Sequence, residues 1–122
     1  MINVGIDIIE IERIQNVKIR YPKRFLKKIF TQNEINYCRD RSPQLAARFA
    51  AKEAMMKALG TGIRGVGWKD VEVIRNRGQA PQIKLSGRGK KVGESIGLKN
   101  TSLSISHSKD YAVACVTIET SK

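Results

Sequence analysis

A chain of 122 residues with a formal net charge of +12 is long enough for one hydrophobic core and strongly basic for its size. We expect a single domain spanning residues 1–122, and the 41% of apolar residues excludes a disordered polymer. No apolar run approaches the ~20 residues of a membrane span, and no secretion signal is visible, so we expect a cytoplasmic protein without a membrane partner. Cys38 and Cys115 lack metal-ligand spacing and are interpreted as reduced thiols.

Basic residues are concentrated near the N-terminus. The segment 13–28 contains no acidic residue and seven basic ones, namely Arg13, Lys18, Arg20, Lys23, Arg24, Lys27 and Lys28. Such a block predicts an acidic partner and an association that weakens as salt is added. Nucleic acid, an acidic protein and a polyphosphate all satisfy this condition.

The first elements in chain order are a strand and a basic helix. Apolar residues alternate with small or polar ones over residues 2–8, which is the period of a half-buried strand. This alternation places Asp7 near the strand end, on the face away from the isoleucines. From Glu12 onward the apolar spacing becomes helical, and Pro22 is expected to end or kink that helix.

Two helix-start signals follow. The segment Thr31-Gln-Asn-Glu34 has the form of a capping box and predicts a short helix through about residue 38. Ser42, as N-cap before a proline, predicts a second helix that runs to about residue 59 and ends at Gly60. The alanine, leucine and methionine content of this second segment favours a helix.

The second half of the chain predicts two hairpins and a weaker helix. Glycines after residue 60 indicate a flexible connection, and segments 71–75 and 82–85 predict the first hairpin. Segment 86–96 has helical apolar spacing, but each glycine in it costs ~1 kcal/mol relative to alanine. Segments 102–107 and 111–119 predict the second hairpin. The order of elements favours an α+β domain with a mostly antiparallel sheet packed with helices.

Two acidic residues on different elements are the candidates for a metal site. Asp7 lies near the end of the first strand, and Glu53 lies on the long helix between Lys52 and Lys57. Carboxylates converging from two elements suit a hard cation such as Mg²⁺, and nearby lysines suit a phosphate-bearing ligand, which indicates phosphate-transfer chemistry. Each residue also has an ordinary explanation. Asp7 can end a strand or cap a helix, and Glu53 can form a surface salt bridge with Lys57.

Other residues near these two carboxylates allow two interpretations. Gly5 has no side chain and would let a ligand approach the strand closely, whereas Lys52 and Arg48 fit a solvated basic helix face. His107, the only histidine, lies at a predicted strand end. It is either a hydrogen-bonded structural residue or part of a catalytic site.

Three motifs at these positions resemble a known family. They are Gly5-x-Asp7-x₅-Arg13, Phe49-x-x-Lys52-Glu53-Ala54-x-x-Lys57-Ala58-x-Gly60 and Ser104-Ile105-Ser106-His107. In this order they resemble the motifs of the bacterial holo-[acyl-carrier-protein] synthases, the small class of 4′-phosphopantetheinyl transferases. The resemblance covers nearly the whole chain. The sequence differs from much of the family after Ser86, where it is rich in glycine and lysine instead of alanine.

The resemblance implies the 4′-phosphopantetheinyl transferase fold and an activity that serves fatty acid biosynthesis. In that reaction the 4′-phosphopantetheine group of coenzyme A moves to a serine of an apo acyl carrier protein, and adenosine 3′,5′-bisphosphate is released. The resemblance also implies Mg²⁺ as cofactor, an acidic carrier protein as partner and a homotrimer with active sites between subunits. The acidic partner would dock on the basic block.

The resemblance assigns roles to individual residues. Asp7 and Glu53 would hold Mg²⁺, and Lys57 would act with them as a catalytic residue. The general base stays open between a water held by the cation, Glu53 and Lys57. The other expected contacts are Arg48, Lys57, Gly60, Pro81 and His107 for coenzyme A and Arg13, Arg20 and Arg24 for the carrier.

Two alternative functions fit part of the sequence. A small nucleic-acid-binding module fits the charge and size, but seven aromatic residues without a clustered stacking platform argue against it. We therefore expect no nucleic-acid partner. A transferase that serves a polyketide or peptide carrier would keep the scaffold and change the substrate, and the absence of a duplicated lobe favours the fatty-acid type.

Overall fold

Five strands and six α-helices make up residues 1–121, the part of the chain that this computed structural model describes. The expected domain of residues 1–122 includes Lys122, which lies outside the described residues. The elements are β1 (Ile2–Glu10), α1 (Ile11–Arg20), α2 (Pro22–Ile29), α3 (Gln32–Cys38), α4 (Ser42–Leu59), α5 (Gly62–Gly65), a 3₁₀ turn (Trp68–Asp70), β2 (Val71–Ile74), β3 (Gln82–Leu85), α6 (Gly87–Ser95), β4 (Leu98–His107) and β5 (Tyr111–Thr120).

The strands form two antiparallel sheets. The larger has the order β1-β5-β4, and the smaller is the β2-β3 hairpin. In the larger sheet Asp7 pairs with Ala114, and Ala114 pairs with Ile105, so these three side chains share one face. The expected α+β architecture with a mostly antiparallel sheet is confirmed. No helix in residues 1–121 is long and apolar enough to cross a membrane.

Helix α4 is the central helix and packs across β1 and β5. A Cβ atom built on Gly5 would lie 1.8 Å from the backbone oxygen of Ala54, so only glycine permits this crossing. The expectation that Gly5 leaves room for a ligand is wrong, because the helix backbone fills that space. The close crossing brings the end of β1 beside the second half of α4.

Four apolar residues of β1 face away from α4, whereas Ile9 belongs to the core. Ile2, Val4, Ile6 and Ile8 have exposed fractions of 71%, 59%, 58% and 63%. A half-buried strand normally buries its apolar face, but here Gly5 and Asp7 face the core instead. The outer face of β1 is therefore an apolar strip without a partner in the single chain.

The helix boundaries differ from the sequence expectations at two prolines. Pro22 ends α1 as expected, but it also begins α2, a separate helix that the sequence pattern did not indicate. Arg41, and not Ser42, is the N-cap of α4. The capping box between Thr31 and Glu34 is confirmed, as is the left-handed Gly60 at the end of α4, which has φ +80°.

The glycines of α6 lie where the helix approaches other elements. A Cβ atom on Gly89 would contact Asp70 and Val66 at 3.2 to 3.3 Å, and one on Gly93 would lie 3.2 Å from Leu98. These two glycines are one turn apart and form the inward face of the helix. The glycine-rich sequence thus allows close packing, which compensates for its low helix propensity.

A buried ion pair connects α3 to α4. Lys52 and Glu34 have fully buried side chains, with 2.7 Å between Nζ and Oε1. Lys52 also donates hydrogen bonds to the carbonyls of Trp68 and Val71, and Glu34 accepts from the amide of Val73. The interpretation of Lys52 as part of a solvated basic face, or as a lysine beside a phosphate, is therefore wrong. It holds the segment after α5 against the core.

Candidate active site

Two carboxylates meet where α4 crosses the end of β1. Burial raises the pKa of Glu53, and the nearby charge of Asp7 raises it further. Lys57 and Arg13 act in the opposite direction, more weakly. The predicted convergence of Asp7 and Glu53 is thus present in the structure.

The side chain of Lys57 binds strand β1 and not Glu53, which lies one turn before it on α4. Its Nζ atom lies 3.2 Å from Oδ1 of Asp7 and 3.0 Å from the carbonyl oxygen of Ile6. Within residues 1–121 it forms no ion pair with Glu53, so the ordinary surface salt bridge considered for that pair is absent. The ammonium has three N–H donors and uses two of them here, which leaves one for a ligand.

Arg13 lies beside the two carboxylates. It lines a cavity of about 240 Å³ together with Asp7, Glu53, Phe25 and Phe49. The residue was expected to contact the carrier protein, and in the structure it lies next to the two carboxylates. Arg20 and Arg24, the other two expected carrier contacts, are exposed on α1 and α2.

A second cavity, of about 440 Å³, opens at the C-terminal end of α4. Glu53 and Lys57 line it from the helix, and Thr61, Ile63 and Arg64 line it from the following turn. These three residues were not predicted, and no motif pointed to them. Gly60 precedes this turn, and its left-handed conformation directs the chain around the cavity.

Arg48 and His107, which were both expected to contact coenzyme A, line a third cavity of about 320 Å³. Arg75, Tyr37 and Ser106 also contribute to its wall. The side chain of Arg48 is 3% exposed, and its Nη2 atom has no hydrogen-bond partner. Arg75 was not predicted, since it enters from the β2-β3 hairpin and belongs to none of the three motifs. Pro81, in the same hairpin, is not among the lining residues of these three cavities.

The donor set around Asp7 and Glu53 fits a hard divalent cation. The nearby Asp7 carboxylate raises the pKa of Glu53, and a bound cation would reduce the repulsion between the two negative charges. No cluster of three or more His, Cys, Asp or Glu residues stands together within residues 1–121. An ion here would therefore take its remaining ligands from water and substrate, which is the usual arrangement for Mg²⁺.

Neither cysteine belongs to these cavities. Burial is the main cause that raises the pKa of Cys38 to about 11, so its thiol stays protonated at neutral pH. Cys115 lies on the outer face of the sheet, opposite Ile6. Both are free thiols, as expected.

Comparison with known proteins identifies the family. Residues 3–116 match the model of the 4′-phosphopantetheinyl transferase superfamily. The chain is 45% identical to a holo-[acyl-carrier-protein] synthase of Koribacter versatilis, with 98% of each chain covered.

Two solved structures support the same assignment. The holo-[acyl-carrier-protein] synthase of Helicobacter pylori in complex with coenzyme A has a TM-score of 0.87 and 35% identity, covering 95% of this chain and 99% of that one. The enzyme of Neisseria meningitidis has a TM-score of 0.89 and 32% identity, covering 98% and 99%. By motif order, sequence match and fold, the chain belongs to the holo-[acyl-carrier-protein] synthases of the 4′-phosphopantetheinyl transferase superfamily.

Proposed function

We propose that this chain transfers the 4′-phosphopantetheine group of coenzyme A to a serine of an apo acyl carrier protein, as a single-domain cytoplasmic enzyme of fatty acid biosynthesis. The serine oxygen bonds to the phosphorus that carries the pantetheine arm. The bond from that phosphorus to the bridging oxygen breaks, and adenosine 3′,5′-bisphosphate leaves. The observation that carries the proposal is the meeting of Asp7, Glu53 and Lys57, because two carboxylates that can hold a divalent cation lie beside a lysine, and the cation and the lysine together would offset the charge of a pyrophosphate under attack.

Asp7 and Glu53 are the residues that would hold Mg²⁺. When bound, the cation would offset the negative charge of the coenzyme A pyrophosphate. The support for this role is the oxygen donor set of the two carboxylates and the raised pKa of Glu53.

Lys57 supplies a fixed positive charge beside the carboxylates. Its ammonium is held by Asp7 and by the carbonyl of Ile6, and its remaining donor can reach a phosphate oxygen. The base that accepts the serine proton is one of three groups: a water held by the cation, Glu53 or Lys57.

Arg48 supports a phosphate contact with coenzyme A. Within residues 1–121 it has no carboxylate within 4 Å, although it is almost completely buried. A buried guanidinium without a counter-ion is costly unless a ligand supplies the negative charge. Arg75 and His107 line the same cavity, so its wall suits an anion. Gly60 and Pro81 are proposed as further coenzyme A contacts.

The basic surface of α1 and α2 is proposed as the docking site for the acidic carrier protein. Arg20 and Arg24 are exposed on it, and Arg13 connects it to the cavity with the two carboxylates. A carrier bound there would have its serine close to Asp7 and Glu53. Complementary charge speeds the encounter of the two proteins, and added salt weakens this electrostatic attraction.

We further propose that the chain forms a homotrimer with active sites between subunits. The supporting feature is the apolar strip on the outer face of β1, which the single chain leaves exposed. Asp7 lies on the same strand, between Ile6 and Ile8. Burial of the strip between copies would thus place a subunit boundary beside the candidate active site.

The proposed function is tested by measuring the mass of a purified apo acyl carrier protein after incubation with this chain, coenzyme A and Mg²⁺. We expect a gain of one phosphopantetheine group, and we expect EDTA to abolish the gain. A folded sample that modifies none of several acidic carriers would refute the transfer activity. A gain that persists in EDTA would refute the metal requirement alone.

A further inference from the structure

We infer that Tyr37 is a positioning residue that orients Arg48 toward a phosphate of coenzyme A. The inference rests on the proposed function, because it assigns a role within the coenzyme A site. Tyr37 lies on α3, outside the three motifs that carry the family resemblance.

The side chain of Arg48 depends on Tyr37 for its orientation. The guanidinium carbon lies 4.4 Å from the centroid of the Tyr37 ring, within the range of a cation–π interaction. Within residues 1–121 Arg48 has no ion-pair partner, and its Nη2 atom makes no hydrogen bond. The aromatic face is thus the contact that fixes the plane of the guanidinium.

Tyr37 is itself held by the turn between α3 and α4. Arg41 donates hydrogen bonds to the carbonyls of Tyr37 and Cys38, at 2.8 Å each, and so caps the C-terminal end of α3. The guanidinium carbon of Arg41 also lies 5.7 Å from the centroid of the same ring. The ring therefore has an anchored backbone and two cationic neighbours.

This arrangement suits recognition of a phosphate. A guanidinium stacked on an aromatic ring keeps its edge free, and that edge donates the two parallel hydrogen bonds that a phosphate accepts. Tyr37 and Arg48 line the same cavity as Arg75 and His107. With its plane fixed before the ligand arrives, Arg48 loses less side-chain entropy on binding.

The test compares Tyr37→Leu, which removes the aromatic face, with Tyr37→Phe, which keeps it and removes the hydroxyl. Affinity for coenzyme A is measured by titration calorimetry, and KM and kcat are measured with a fixed carrier protein. We expect Tyr37→Leu to weaken coenzyme A binding and raise its KM about three- to thirtyfold. We expect kcat and the KM for the carrier to stay unchanged. For Tyr37→Phe, the affinity for coenzyme A and its KM should stay within about twofold of the values for the protein without substitutions.

A double-mutant cycle with Arg48→Lys separates orientation from a general structural effect. Lysine keeps the charge but has no planar group to stack, so Tyr37→Leu should cost much less in that background. Additive effects, or equal losses in Tyr37→Leu and Tyr37→Phe, would overturn the inference. So would an unchanged affinity in Tyr37→Leu. If the protein without substitutions binds no coenzyme A, this result would instead refute the proposed function on which the inference rests.

Discussion

The Nζ atom of Lys57 lies 3.2 Å from Oδ1 of Asp7, although fifty positions separate the two residues. The contact exists because Gly5 lets α4 cross β1 almost backbone to backbone. The same crossing places Glu53 against Asp7. The chemistry of the site and the packing of the central helix therefore depend on one another.

Replacement of Glu53 tests the carboxylate pair. Glu53→Gln removes the negative charge and keeps the shape, so turnover should fall at least about 100-fold while the circular dichroism spectrum is unchanged. The measurement is carrier modification followed by mass spectrometry. Glu94→Gln, at an exposed position on α6, is the matched control and should retain full activity. Substantial turnover in Glu53→Gln would contradict the assigned role.

The raised pKa of Glu53 predicts a pH effect on stability. The folded chain binds the Glu53 proton more tightly than the unfolded chain, so it carries more protons in the pH range just above the ordinary carboxyl value. The free energy of unfolding attributable to this group therefore decreases as pH rises through that range. Urea unfolding of metal-free protein should show this decrease in the unchanged chain and not in Glu53→Gln. Parallel pH profiles for the two proteins would count against it.

The crossing at Gly5 predicts a large steric effect. In Gly5→Ala the new Cβ atom would overlap the backbone oxygen of Ala54, and a helix backbone cannot give way as a side chain can. We expect a loss of about 3 kcal/mol or more in the free energy of unfolding. Gly78→Ala is the control. It has open space around its Cβ position and φ +77°, so it should lose only the ~1–2 kcal/mol of a left-handed alanine. Equal losses at both positions would show that the steric argument is wrong.

The buried pair of Lys52 and Glu34 predicts a non-additive stability effect. Lys52→Met leaves the Glu34 carboxylate buried without its cation, and about 3–5 kcal/mol should be lost. Adding Glu34→Gln should then cost much less than it does alone, because the charge to be compensated is already unpaired. The measurement is a denaturation cycle of four proteins. Asp40→Asn removes the charge of the ion pair with Lys18 at a side chain that is 72% exposed, so it should cost less than about 1 kcal/mol.

The apolar strip of β1 predicts a change in assembly. Val4→Glu places a charge on its outer face, and analytical ultracentrifugation should show a shift from trimer toward monomer. Ile19→Glu, at an exposed isoleucine of α1, is the matched control and should remain assembled. A monomeric unchanged chain, or an assembled Val4→Glu variant, would contradict the proposed trimer.

The sequence was sufficient to predict the strand that carries Asp7 and the helix that carries Glu53, because each of these elements has a clear sequence pattern. A two-residue repeat places Asp7 opposite the isoleucines, and the long α4 segment has strong helix propensity. It was not sufficient to predict that Lys52 is buried, because its partner Glu34 comes from another helix and only the tertiary fold brings them together.

Two further features needed the structure for similar reasons. The period of β1 is the same whichever face is buried, so the outward direction of the isoleucines could not be read from it. The contribution of Arg75 to the Arg48 cavity depends on how the β2-β3 hairpin folds back, which no local pattern encodes.

The alternation of β1 leaves this strand only one workable register. Asp7 lies between Ile6 and Ile8, so a slip of one position along β5 would turn the carboxylate outward and push an isoleucine into the space beside Glu53 and Lys57. The same slip would move Gly5 away from Ala54 and bring a side chain against the helix backbone. Insertion or deletion of a single residue within β1 should thus remove Asp7 from the site beside Glu53, the helix crossing and the apolar outer face in one step.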